Sequence, residues 1–495
     1  MILCAVSIEH QQALMAAIDQ EYRLAELVDI QNDVTDATDI VITDAITLLP
    51  GWKNERPPIL FPTVAFSPAV SVGWLYALLG NRERAAALLA DYPVLLEPVE
   101  LLFCIQQSAP LPMLEVETWS SLDYTTLHNR AVALHYGAAQ QSVDFEQLAH
   151  LYQAALEKAS NNNYKAFTAK HYAVLLIDAG LLQQAKALLE TTSALPLEAH
   201  AANDIKNVLC HLWMQQLTMP YDTELLEKLK TNLWECLQYY EAHDQEVEAG
   251  LVLTDAAHIA TISNSFSEAL GYCNRAIAIF EKAALNELAA QAQLRKAALL
   301  QTWAQQGNPQ FYRSSMQAYL AALQVFSREA APAIFADIQH QLGKVYAEIP
   351  DEIKKKGVWA AVSVSSFNEA LNFYNKVDYP YEFAMICHSF GNAYTKYPAA
   401  LHSDNFDKAL AWYQEALDIR TAEQYPLERV LTLSNYLEAS WHVGNKTEFD
   451  EERYNDMVAK AHEISSLSTD PTICASAQAH LQQLSQLKKE MGTVN

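Results

Sequence analysis

Cys210-His211 and Cys387-His388 are the two places in this sequence where a cysteine stands directly beside a histidine, the pair of residue types that can make a thiolate nucleophile. Both lie in stretches of helical periodicity, where adjacent side chains point about 100° apart, so neither pair forms a dyad by itself. The seven cysteines, at positions 4, 104, 210, 236, 273, 387 and 474, are dispersed with no paired spacing. Several fall on apolar helix faces, where a free thiol behaves as a small hydrophobe. His-Glu-x-x-His, Gly-x-x-x-x-Gly-Lys-Ser/Thr, Gly-x-Gly-x-x-Gly and Cys-x-x-Cys do not occur, so zinc, nucleotide and redox readings lack their ligands. Glu451-Glu452-Arg453 reads as a solvated helix start, because acidic pairs recur freely among 59 carboxylates. The residues therefore offer no catalytic group, no metal set and no cofactor.

Charge and composition narrow the partners. A formal charge of -26 argues against unaided binding of a phosphate backbone, which relies on clustered Lys and Arg. Lys354-Lys355-Lys356 is the one tight basic run and is expected to be a solvated loop. No run of 18 apolar residues exists, which gives no membrane span. The N-terminus lacks the basic region of a signal peptide, and an odd number of scattered cysteines fits a reducing, cytoplasmic setting. With 13 glycines and a hydrophobic share of 51%, the chain has the apolar surface for a continuous helical core. Most of its 24 tyrosines and nine tryptophans fall at packing positions of that core.

The elements that would position any site are repeated. Pro332, Phe335, Gly343, Tyr346 and Pro350 are answered 48 residues later by Pro380, Phe383, Gly391, Tyr394 and Pro398, and a weaker copy opens at Pro426. Such self-similarity signals stacked repeats. Within the best copy, Phe383, Ile386, Cys387, Phe390, Tyr394 and Tyr397 share one face of a helix, and Phe406, Ala409, Leu410, Tyr413, Ala416 and Leu417 share one face of the next. A mid-helix glycine costs about 1 kcal/mol relative to alanine, so Gly391 is expected to admit a closely packed partner helix.

Phe390-Gly391-x-x-Tyr394 followed by Ala409-x-x-x-Tyr413-x-x-Ala416 resembles the tetratricopeptide repeat. Leu342-Gly343-x-x-Tyr346 followed by Ala370-x-x-x-Tyr374 is similar to it, with a longer loop in one copy and a longer second helix in the other. The resemblance implies an all-α, right-handed solenoid of about eight to ten helix pairs, here with a small N-terminal α/β unit. Pro380-Tyr-Glu-Phe-Ala, Phe390-Gly-Asn-Ala-Tyr394 and Arg420-Thr-x-x-x-x-Pro426-Leu-Glu further resemble bacterial tetratricopeptide arrays joined to caspase-like CHAT peptidases. That likeness spans about 110 residues of the chain and includes no catalytic residue, so any nucleophile would lie on another chain.

Four segments are expected: an α/β cap over 1–66, an irregular helical connection over 67–122, the superhelix over 123–465 and a capping helix over 466–495. In the first, Ile2 to Val6, Arg23 to Ile30, Ile40 to Thr43 and Ile59 to Phe66 alternate with a helix from Glu9 to Gln20, which points to a partly parallel sheet. Asp39-Ile-Val-Ile-Thr-Asp44 looks like the strand that ends in a receiver-domain phospho-acceptor, although Ser7 and Ile8 stand where that family has an acidic pair. Val94 to Ser120, with three prolines, reads as an irregular connection or a broken helix. Gly180 and Gly444-Asn445 read as helix stops, Phe449 as the start of a helix, and Asp470-Pro471 as the cap and first position of the last one.

In tetratricopeptide solenoids the first helices line the concave face and hold ligand peptides. The resemblance therefore places His340 and Lys344, His388 and Asn392, and Ser434 and Glu438 in the groove, with Lys396 nearby. Asn392 matches the asparagine that many such repeats use to hold a peptide backbone. Lys344 and Lys396 alone are too few for a carboxylate clamp. The implied function is a non-enzymatic scaffold or sensor for a protein or peptide, with a CHAT-type peptidase as one candidate effector. The alternative is a signalling regulator whose N-terminal unit binds a small molecule or accepts a phosphoryl group. The oligomeric state stays open.

Overall fold

The computed structural model describes residues 1–34, 38–52, 57–107, 121–137, 144–399, 404–444 and 450–492. The expected stop at Gly444-Asn445 and the start at Phe449 reach outside these residues, as does the expected connection beyond residue 107. The chain divides into two compact units, Met1–Ile259 and Ala260–Asn495.

The first unit opens with β1 (Ile2–Ala5), α1 (Ile8–Ile18), β2 (Asp29–Gln31), β3 (Ile40–Ile42), β4 (Ala45–Leu48) and β5 (Val64–Ala65). The sheet order is β2-β1-β3-β4-β5, with β1 parallel to both neighbours and β3, β4 and β5 antiparallel. The partly parallel sheet is as expected. Two of its strands are shorter than their β-rich sequence suggests. Arg23 takes a left-handed conformation and leads into a 3₁₀ turn over Leu24–Leu27, so that segment becomes a strand only at Asp29. Ile59, Leu60 and Phe61 are buried but join no ladder, since the backbone groups of Leu60 are taken by a helix side chain described below.

Helices follow: α2 (Pro68–Leu78), α3 (Arg82–Leu89), α4 (Pro93–Gln107), α5 (Tyr124–Gly137), α6 (Phe145–Lys158), α7 (Asn162–Asp178), α8 (Leu182–Ser193), α9 (Ala199–Gln215), α10 (Thr223–Ala242) and α11 (Glu246–Ile262). Where the prolines suggest a broken segment, α4 is one continuous helix through Gln107. Pro93 starts it at the position that needs no N–H. Pro98 lies close enough to that start to interrupt only the second turn, and Leu95, Val99, Leu102 and Phe103 are buried around it. Asn81, Asp144, Asn161 and Asp222 cap their helices through side-chain oxygens, and Gly180, at φ +73°, ends α7 as its sequence predicts. The helices pack in consecutive pairs, α5 on α6, α7 on α8 and α9 on α10.

The second unit continues the scheme with α12 (Phe266–Lys282), α13 (Asn286–Gln305), α14 (Phe311–Ala322), α15 (Pro332–Glu348), α16 (Ile353–Phe373), α17 (Pro380–Tyr394), α18 (Asn405–Leu417), α19 (Pro426–Ser440), α20 (Glu451–Leu467) and α21 (Pro471–Gly492). Pro332, Pro380 and Pro426 each occupy the first turn of a helix, which explains their register, while Pro350 and Pro398 follow the ends of α15 and α17. A Cβ on Gly391 would stand 2.5 to 2.9 Å from the ring of Tyr413, and one on Gly343 would stand 2.8 to 3.0 Å from the ring of Phe367. Each glycine therefore seats an aromatic ring of its partner helix.

That contact corrects the register read for the earlier copy. The residue facing Gly343 is Phe367, so the second-helix pattern is Ser363-x-x-x-Phe367-x-x-Ala370, two turns before Ala370-x-x-x-Tyr374. Ser363 and Ala370 are buried like Ala409 and Ala416, and Ser363 Oγ donates to the Gly343 carbonyl at 2.5 Å. In this register no compensating lengthening is needed, because Phe367 and Tyr413 each precede the next repeat's proline by 13 residues. What differs is the start of α16, which runs six residues further back than α18 does. Lys354, Lys355 and Lys356 stand on that extension, on an exposed helical turn and not in a loop, beside Ile353 and Val358, which are 77% and 61% exposed.

Candidate functional site

In the second unit the residues expected in the groove fall into two groups. His388 and Asn392, a turn apart on α17, belong to one hydrogen-bond network. Arg420 and His388 Nδ1 both reach Thr432 Oγ1, at 2.7 and 3.1 Å, and Thr432 donates to the Glu428 carbonyl at 2.8 Å. The threonine proton being spent, His388 donates from Nδ1 and is neutral; burial, followed by Arg420 and Lys344, pulls it down to about 4. Asn392 Oδ1 accepts from Tyr413 OH at 2.7 Å and from Asn435 Nδ2 at 2.8 Å. Its oxygen thus ties α17 to α18 and α19, and only the amide nitrogen is left without a partner among the described residues. His340 is 2% exposed, packs against Phe367 and is pulled down to about 3 by burial, so it lies beneath the groove surface.

The others stand apart. Lys344 is half-buried, donates among the described residues only to Gln341 Oε1, at 2.9 Å, and has its pKa lowered by burial and then by Lys396. It lines a groove of about 520 Å³ between α13 and α15 together with Gln291, Gln301, Ile334, Asp337 and Gln341. Lys396 is exposed and paired with Glu348. Ser434 turns its hydroxyl onto the Val430 carbonyl at 2.9 Å, and Glu438 meets His480 at 3.3 Å. On the same helix faces, the turns before His388 and Ser434 carry Tyr381 and Met385, and Leu427 and Leu431; Leu427 and Leu431 are 75% and 57% exposed. This apolar row was not read from the sequence, although its spacing of four residues was visible there.

The first unit shows what such helices can hold. Asn129 of α5 grips Leu60 by both main-chain groups: its Oδ1 accepts from the Leu60 N–H and its Nδ2 donates to the Leu60 carbonyl, each at 2.7 Å. His128 lies 2.9 Å from the Pro58 carbonyl and 2.9 Å from Thr168 Oγ1 of α7. Lys170 Nζ donates to the Trp52 carbonyl at 3.1 Å and to Asp204 Oδ2 of α9 at 2.6 Å. Sequence reasoning missed all of these residues. The available signal was a run of polar side chains, His128, Asn129, Thr168, Lys170 and Asp204, at helix positions that prove to be buried.

At the strand ends, Asp44 is exposed and 3.8 Å from His10 Nε2, while Ser7 caps α1 by accepting from the His10 N–H at 3.1 Å. No group of three or more His, Cys, Asp or Glu placed to hold a metal occurs among the described residues. Cys210 and Cys387 are buried, and burial raises the Cys387 thiol to about 12, far from a thiolate. No helix among the described residues is long and apolar enough to cross a membrane.

Paired helices with an aromatic ring seated on a glycine at matching positions make this a tetratricopeptide-like α-solenoid with a small N-terminal α/β unit. No family model and no curated sequence matches the chain. Similar solved structures include a STAND signal-transduction ATPase with a tetratricopeptide repeat sensor from Pyrococcus horikoshii, at 12% identity over 85% of this chain and 69% of that one, with a TM-score of 0.46. A human IFIT1 dimer with PPP-AAAA is 13% identical over 85% of this chain and 82% of its own, with a TM-score of 0.43. Yeast Tom70 is 13% identical over 86% and 88%, with a TM-score of 0.27. The fold assignment rests on the packing at Gly343 and Gly391.

Proposed function

We propose that this chain is a non-enzymatic scaffold or sensor that binds an extended segment of a partner protein along the first helices of its second unit. The observation that supports this reading is the grip of Asn129 on both main-chain groups of Leu60, where helices of the same kind hold a stretch of chain that belongs to no strand. In the second unit the groove beside Lys344 offers side-chain amides for a peptide backbone, and Tyr381, Leu427 and Leu431 offer an apolar row for its side chains. Direct nucleic-acid binding has no place in this reading, because a charge of -26 opposes it. We take the setting to be cytoplasmic and the effector to be of the CHAT peptidase type, carried on another chain; the motif likeness around Phe390-Gly391 and Arg420 is what supports the latter.

The test is affinity capture by the tagged full chain, read by mass spectrometry, beside a Leu427→Glu, Leu431→Glu double variant. Both residues are exposed, so the variant stays folded. One partner is enriched by the wild type and lost by the variant. Equal capture by both proteins sinks the groove reading.

A further inference from the structure

Two pieces of chain that belong to no strand rest on the helices of the first unit, and they are held unevenly. Pro58, Ile59, Leu60 and Phe61 are buried, and two short hydrogen bonds from Asn129 fix them. Trp52 is held more lightly. Its ring is half-exposed and stands edge-on to Phe167 and His200, with centroids 5.0 and 5.2 Å away, and its carbonyl accepts one hydrogen bond from Lys170.

The receptor for that one residue is nonetheless built. Lys170 Nζ is fixed by Asp204, whose other oxygen accepts from Tyr240 OH at 2.8 Å, and all three side chains are buried. Three helices thus aim an ammonium at a main-chain carbonyl beside the two rings, Phe167 and His200, that the Trp52 indole meets edge-on. Next to it lies a cavity of about 390 Å³, lined by Pro50, Gly51 and Trp52 and by Asn163, Glu198 and His200. It has room for the residues that would precede an incoming ring.

We propose that the slot formed by Phe167, Lys170 and His200 is a recognition site for a peptide carrying an aromatic side chain, and that Trp52 is its resident, exchangeable occupant. A peptide supplies both groups the slot reads, a main-chain carbonyl for Lys170 and a ring for Phe167 and His200. Trp52 keeps the slot filled because a tethered group acts at an effective concentration in the mM range. A partner segment displaces it by adding contacts in the neighbouring cavity, while the anchor at Pro58 to Phe61 stays in place. The inference shares with the proposed function only the premise that first helices bind peptides, and it concerns a different unit.

The experiment titrates a fluorescent peptide, Leu-Pro-Gly-Trp-amide with its N-terminus labelled, into the full chain and into its Trp52→Ala variant, following anisotropy. The variant binds at least about tenfold more tightly than the wild type. A peptide ending in phenylalanine still binds it, and one ending in alanine does not. The proposal is overturned if the variant, folded by circular dichroism, binds no better than the wild type, or if the alanine peptide binds equally well. Should Trp52→Ala fail to fold, the same titration on Trp52→Leu decides. Because capture of a partner depends on Leu427 and Leu431, its failure is told apart from failure here.

Discussion

At the scale of single residues, glycine carries the repeat. Two effects oppose each other at Gly391. Replacing a mid-helix glycine by alanine gains about 1 kcal/mol from the backbone, but a methyl group 2.5 Å from the Tyr413 ring overpacks the contact, at about 1–3 kcal/mol. Gly391→Ala is therefore destabilising in urea unfolding. Gly271→Ala in α12, where nothing lies within 4 Å of the added methyl, is stabilising. If both changes shift stability in the same direction, Gly391 is not the seat of the partner ring. The Gly-x-x-Tyr pattern was legible because it repeats within one helix. The partner position was not, because Ala370-x-x-x-Tyr374 satisfies the same spacing rule as Ser363-x-x-x-Phe367 with Ala370, and only the ring above Gly343 chooses between them. Asn392 was legible as a special residue for a related reason, yet its oxygen is spent on Tyr413 and Asn435, two residues that spacing on α17 does not reveal.

At the scale of elements, helices and their ends were readable because their signals are local: Gly180 in a left-handed conformation, Asp470 accepting from the Thr472 N–H at 2.8 Å, and Asp450 capping the helix start at Glu451 by accepting from the Arg453 N–H at 2.9 Å. The β-rich stretch before α2 was misread for the converse reason. Its backbone partner, Asn129, is 69 residues away, and no local pattern encodes that contact. Asn129→Ala leaves the Leu60 N–H and carbonyl without partners in a buried setting, at about 1–3 kcal/mol for each group. Unfolding by denaturant should show a loss of that size, and the Leu60 amide should exchange with solvent far faster than in the wild type. An unchanged exchange rate would mean that another group, or water, satisfies Leu60 and that α5 does not hold the segment. The same contact is the part of the candidate site that sequence could not give: His128, Asn129, Thr168 and Lys170 look like ordinary polar helix residues until the covering segment is in place.

At the scale of the whole molecule, acid acts in two opposing ways. The chain carries -26 at pH 7 and approaches neutrality near its pI of about 4.9, so lowering the pH relieves self-repulsion. Buried histidines oppose this. Burial pulls His128 and His388 down to about 4 and His340 to about 3, from an ordinary value of 6.5. The unfolded chain thus binds protons that the folded chain refuses, and folding stability falls as the pH drops from about 6.5 towards 4. Salt separates the two, because exposed charges are screened while buried imidazoles are not: the Debye length shrinks from about 30 Å at ~0.01 M to about 3 Å at ~1 M. At low salt the melting temperature should change little between pH 7 and pH 5.5, the two effects offsetting each other. At high salt it should start higher at pH 7 and fall steadily with acid, and His340→Gln should reduce that slope because it removes one group that titrates on unfolding. A slope that His340→Gln leaves unchanged at high salt would show that His340 is protonated as readily in the folded chain as in the unfolded one, and that the packing between α15 and α16 is looser than the Phe367 contact implies.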